Sequence, residues 1–142
     1  MLVLDFDPGR HIGYACLDLA AGVVHANGVV YELKAVGTMI VAWASTNSLR
    51  EVRVGVEDFL GAGPLNADRA FTIKVQGLIE GLCDMYNLEC TVRQPSQRLP
   101  YVEQAEALCE TTGPYRRDAV SALAHAIGHA RNIAGKDIQW RN

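Results

Sequence analysis

Residues 1–4 form a short apolar run that reads as a buried strand, and Pro8-Gly9 turn the chain soon after it. Apolar residues resume over 12–21, so the two stretches are expected to pair as a hairpin. Residues 23–26 and 29–31 read as strand on either side of Asn27-Gly28, a pair that favours a tight turn. The first three strands would then make an antiparallel meander. Apolar positions at 33, 36, 39, 40 and 43 repeat with helical spacing, and 45–48 break the pattern. Residues 52–57 alternate and end in two acids, Glu57 and Asp58. After a loop over 61–66, residues 67–86 predict an amphipathic helix with Phe71, Val75, Leu78, Ile79, Leu82 and Tyr86 on one side. A short strand over 88–92 ends at Pro95, 96–100 reads as loop, 102–109 as a short helix and 111–114 as a linker. The last helix spans about 115–134, with Gly135 as its terminator. The order βββ-α-β-α-β-α-α predicts an α/β fold, a mixed sheet with helices on its faces.

The 142 residues are expected to form one domain, 1–142, long enough to bury a core without disulfides or a structural metal. A hydrophobic content of 49% with 20% charged residues argues against disorder. Cys16, Cys83, Cys90 and Cys109 form no Cys-x-x-Cys pair and read as buried free thiols in a reducing compartment. Asp5 and Asp7 interrupt the N-terminal apolar run, which argues against a leader, and no apolar stretch is long enough to span a membrane. A cytoplasmic protein is expected. The net charge of −3 does not announce a nucleic-acid binder. Its distribution is more informative. Residues 1–90 carry 6 Lys and Arg against 11 Asp and Glu, while 91–142 carry 7 against 5. An acidic half that binds divalent cations would reverse its local sign, so this balance is compatible with a phosphodiester substrate.

The candidate chemistry lies in acids at the ends of elements. Alternation puts Asp5 and Asp7 on one face of the first strand, opposite Leu4 and Phe6. A buried carboxylate is costly unless paired, hydrogen-bonded or on a metal, although an Asp before Pro-Gly also caps its own turn. Glu57 ends the fourth strand on the face of Arg53 and Gly55. It reads equally as an exposed strand-end acid. Yet ligands of open sheets sit beyond the carboxyl ends of parallel strands, and if the first and fourth strands pair, Asp7 and Glu57 face one crevice. Asp118 opens the last helix, where an acid also favours the helix dipole by about 0.3–1 kcal/mol. The next ten residues, 119–128, have only Ser121 and His125 as polar groups, so this helix is expected to be buried nearly all round. His125 and His129 are one helical turn apart but lack an accompanying acid in zincin spacing. His125 shares the face of Asp118, deeper along the helix, and reads as a satisfied core histidine. Arg10 and His11 lie in the first turn, where a contact to phosphate is open.

Asp7-Pro8-Gly9, three further residues, then Gly13-Tyr14 at the end of an N-terminal apolar strand resembles the opening of the RuvC family of Holliday junction resolvases. Val54-Gly55-Val56-Glu57 before a loop with Gly and Asn is similar to that family's second acidic strand, and Gln76-Gly77 falls where it keeps a small-residue packing turn. Asp118-Ala119, followed by small residues, resembles its last acid. The resemblance implies a ribonuclease-H-like mixed five-stranded sheet flanked by helices. It also implies a metal-dependent endonuclease acting on branched DNA, four-way junctions, by a two-metal mechanism.

On that resemblance Asp7, Glu57 and Asp118 are the catalytic and metal-binding residues, with two Mg²⁺ or Mn²⁺ ions as cofactors, since both prefer oxygen ligands. The family carries two metal-site residues three apart on the last helix. If Asp118 matches the second, the first is Tyr115, the preferred alignment because Asp118-Ala119 then needs no gap; if Asp118 matches the first, the second is Ser121. Tyr115, Ser121, His125 or none is the fourth ligand. The chain is also shorter than bacterial RuvC between Pro95 and Tyr115 and lacks its lysine-rich loop, so it looks more like the compact bacteriophage resolvases. Arg98 is the expected replacement for that loop, and Arg10, Asn66, Arg116 and Arg117 are further expected DNA contacts. Two-fold junctions suit two-fold dimers, so a homodimer through the 67–86 helix is expected. The alternatives are a ribonuclease-H-like nuclease of RNA/DNA hybrids or flaps, and a non-catalytic nucleic-acid-binding module.

Overall fold

The computed structural model describes residues 1–46, 51–58 and 65–142. Residues 47–48 of the expected break and 61–64 of the expected loop lie outside the described residues. Five strands, β1 (Leu2–Asp7), β2 (Ile12–Asp18), β3 (Val23–Val30), β4 (Val52–Glu57) and β5 (Glu89–Arg93), make one sheet in the order β3-β2-β1-β4-β5. The first three strands pair antiparallel, and β1–β4 and β4–β5 pair parallel. The meander and the mixed sheet are as the sequence predicts.

Alternation along the strands feeds two cores. Leu4, Phe6, Val54 and Val56 face α1 (Leu33–Thr46) and α2 (Ala67–Tyr86), where Val36, Ile40, Val75 and Ile79 complete one cluster. Val3, Ala15 and Leu17 face the other way, onto α3 (Val102–Leu108) and α4 (Arg116–Ala134). Every residue of α4 from Ala119 to Ala130 is buried, and its alanines let the helix lie close to the sheet. Gly13 on β2 makes that approach possible, because a Cβ there would strike the Asp118 carbonyl in the first turn of α4. The helix ends at Gly135, with φ 67°, as expected.

Three local expectations are corrected. Asn27-Gly28 is no turn but lies within β3. The Asn27 amide donates to the Tyr14 carbonyl at 3.1 Å and to the Ala119 carbonyl at 2.8 Å, fastening the strand to α4, and Tyr14 packs over Gly28. Tertiary hydrogen bonds thus override a local turn preference. Residues 96–100 are not loop but belong to a 3-10 helix, Pro95–Tyr101, that starts with proline and a Gln94/Gln97 capping box. Gly77 faces open space on α2, so it makes no packing turn there.

Candidate active site

The parallel pairing of β1 with β4 sets the site. Phe6 lies opposite Val56, so the next residues of the two strands, Asp7 and Glu57, emerge together at the carboxyl ends of these interior strands. The start of α4 brings Asp118 to the same end of the sheet. These three acids line one cleft of about 800 Å³ with His11, Arg98, Arg116, Arg117 and Ser121.

Glu57 is buried at 3% exposure. Its Oε2 accepts from Arg98 Nη1 at 2.8 Å and makes a short contact with His125 Nε2. Arg98 reaches it from the 3-10 helix, whose bonded turn fixes the start of that side chain. Among the described residues, no cation forms an ion pair with Asp7. Burial and then the neighbouring charge of Glu57 push its carboxyl up from 3.8 to about 6, against the opposing influence of Ser121, His125 and Arg98. The Ser121 hydroxyl lies beside Asp7 and favours its charge but is not aligned for a full hydrogen bond. Asp118 is the outermost acid, its side chain 35% exposed and its Oδ2 3.7 Å from His11 Nδ1.

Beneath the site a second buried pair joins Asp5 Oδ1 to His129 Nδ1 at 2.7 Å. Gly55 leaves the room that the Asp5 carboxylate occupies. His125 and His129, one turn apart on α4, therefore clamp Glu57 on β4 and Asp5 on β1. His125 is a core histidine, as expected, but its partner is a site acid. Its place on the face of Asp118 was readable; which strand end it would meet was not.

The remaining predicted residues separate. Arg117 is exposed at the cleft wall. Arg116 lines the cleft too, but its guanidinium donates to the carbonyls of Glu106 at 2.7 Å, Cys109 at 3.0 Å and Thr111 at 3.3 Å, tying the end of α3 to the start of α4. Asn66 is the N-cap of α2, accepting from the Arg69 amide at 2.8 Å, and does not line the cleft. Arg10 is exposed in the β1–β2 turn, also outside the cleft lining. The Tyr115 ring lies tilted against His11 with ring centroids 4.0 Å apart. Cys16, Cys83, Cys90 and Cys109 are free; three are buried as expected, but Cys90, on the edge strand β5, is only half-buried. Among the described residues, no helix is long and apolar enough to cross a membrane.

The donor set can be tested against a divalent ion. Among the described residues, no three His, Cys, Asp or Glu side chains converge tightly enough to enclose a metal by themselves. Asp7 and Glu57 nevertheless fit Mg²⁺ or Mn²⁺, because two crowded carboxylates gain from a shared cation and Mg²⁺ usually keeps several waters. Either ion would relieve the repulsion that lifts Asp7.

A β1–β2–β3 meander with parallel β4 and β5 on its far edge and acids at the β1 and β4 ends is a ribonuclease-H-like fold. The chain is similar in structure to Thermus thermophilus RuvC in complex with a Holliday junction substrate, with a TM-score of 0.70, 16% identity, and 97% of this chain and 99% of that one covered. A second Thermus thermophilus RuvC structure is similar with a TM-score of 0.65, again at 16% identity over 97% of this chain and 99% of that one. At this identity the likeness is one of fold. No family model matches the chain, and no curated protein matches it in sequence.

Proposed function

We propose that this protein is a divalent-metal-dependent endonuclease that resolves four-way DNA junctions. The observation that carries the proposal is the convergence of Asp7, Glu57 and Asp118, from three distant segments, on one cleft walled by Arg98 and Arg117. The similar fold of a RuvC that was solved with a Holliday junction substrate adds support.

In this proposal Asp7, Glu57 and Asp118 would hold two Mg²⁺ or Mn²⁺ ions. Such ions would supply an activated water and stabilise the leaving 3′ oxygen. The chain's own residues do the rest. Arg98 and His125 fix Glu57 Oε2 in one orientation, leaving its other oxygen for the cleft. Arg117, exposed at the wall, offers a contact to the incoming phosphate. Arg10 and Asn66 are outer DNA contacts at most, since neither lines the cleft.

A homodimer belongs to the same proposal. On α2, Ile73 and Met85 are 37% and 74% exposed, and an apolar groove lined by Leu33, Gly37, Val41, Leu78 and Leu82 runs between α1 and α2. Light scattering at micromolar concentration is expected to give a dimer; a monomer that still makes paired incisions refutes it. Substrate class is tested by offering a mobile four-way junction, an RNA/DNA hybrid and a flap with Mg²⁺ or Mn²⁺. Preferred junction cleavage is expected. Preferred hybrid or flap cleavage points to another ribonuclease-H-like activity, and binding without any cleavage points to a non-catalytic module.

A further inference from the structure

Beside the cleft, three aromatic rings from separate segments meet. His11 of the β1–β2 turn lies against Tyr115, just before α4, and both touch Tyr31, just after β3, edge-to-face with centroids 5.6 Å apart. Rings that merely pin a turn to a helix end up covered, yet Tyr31 is 57% exposed. His11 also lines the cleft and lies 3.7 Å from Asp118, so the cluster is continuous with the site. Two exposed cations flank it in sequence, Arg10 next to His11 and Arg117 two residues after Tyr115.

We propose that Tyr31, His11 and Tyr115 form a stacking site for an unpaired nucleobase, with Arg10 and Arg117 on the phosphates to either side. This rests on the assignment of the cleft to nucleic acid and adds a contact that assignment does not contain. An aromatic face recognises any base, and the neighbouring cations select a ligand that carries phosphates, so the occupant is a strand and not an apolar peptide. A base held here is unstacked from its own strand beside Asp118. The strand is thereby bent toward the acids, and a branch point, where stacking is already interrupted, supplies such a base at least cost.

The test compares binding of a short oligothymidine strand with that of an abasic strand of equal length, by fluorescence anisotropy at low salt without divalent ions. Both strands carry the same phosphates, so their affinity ratio reads base contacts alone. The wild type is expected to prefer oligothymidine. Tyr31→Ala should reduce the ratio about 5-fold or more, within the range of one base–aromatic stack. Tyr31→Phe should keep it. Melting of each variant checks the fold, which the exposed position of Tyr31 should spare. A ratio unchanged in Tyr31→Ala, or a wild type that binds neither strand, overturns the stacking site. Because no cleavage is measured, the site stands even if no branched DNA is cut, and junction cleavage with an unchanged ratio refutes this site alone.

Discussion

Asp7→Asn should abolish cleavage and yet make the metal-free protein more stable. Asp7 is held at about 6 instead of 3.8, first by burial and then by the charge of Glu57. Two pH units at about 1.4 kcal/mol each set a ceiling near ~3 kcal/mol on the destabilisation carried by the charged form. Solvent reaching the open cleft screens part of it, leaving about 1–2 kcal/mol. The folded carboxyl is the weaker acid, so the unfolded chain loses its proton first as pH rises. Stability from this group therefore falls between about 3.8 and 6, and the full penalty is present above that window. Asparagine removes the charge and can donate to Glu57. In EDTA at neutral pH the variant should melt about 3–8 °C above the wild type. The gap should close toward the acid end of the window, where wild-type Asp7 is protonated. Added Mg²⁺ should also narrow it, by stabilising only the wild type. Calorimetry in EDTA across this pH range is the assay. A variant no more stable than wild type at neutral pH would refute the account of Asp7 as a charge destabilised by burial and by Glu57.

Three further outcomes separate the roles of neighbouring residues. Arg116→Ala should lower stability by about 1–3 kcal/mol in a denaturant titration, because its guanidinium bonds three carbonyls. Arg117→Ala should leave stability unchanged but weaken junction binding and flatten its log–log salt slope by about 0.9. His125→Ala strips the buried Glu57 of one of its two partners, Arg98 remaining, and should cost about 1–3 kcal/mol of stability by the same measurement. Asn27→Ala, which loses two bonds across the β3–α4 contact, should cost about 1–3 kcal/mol and slow cleavage without touching the cleft.

The parts of this fold that could be read from the chain are those whose pattern is local and periodic. The 67–86 helix has the bounds its apolar spacing and Asn87, in the left-handed conformation at its end, impose. The last helix, free of charge for ten residues, could only be a buried one. The acids of the cleft were visible because each lies at one end of a periodic element, Asp7 and Glu57 closing strands and Asp118 opening a helix, where the apolar pattern alone does not require a carboxylate. What was hidden depends on partners distant in sequence. Asn27 reads as a turn residue until α4 offers the Ala119 carbonyl 92 residues away. Arg116 reads as a free cation beside Asp118, and only the path of the chain from α3 turns three carbonyls toward it. The ladder from His125 to Glu57 and from His129 to Asp5 needs the register of two strands under one helix, which spacing within the helix does not specify.

The most direct test of the central claim is cleavage of a synthetic four-way junction in Mg²⁺ or Mn²⁺ under single-turnover conditions. Wild type, Asp7→Asn, Glu57→Gln and Asp118→Asn are compared, with junction binding measured in parallel. Wild type should cut at the branch, and each variant should bind but not cut. A variant that cuts at the wild-type rate removes its residue from the site, and a wild type that binds junctions without cutting them contradicts the nuclease assignment.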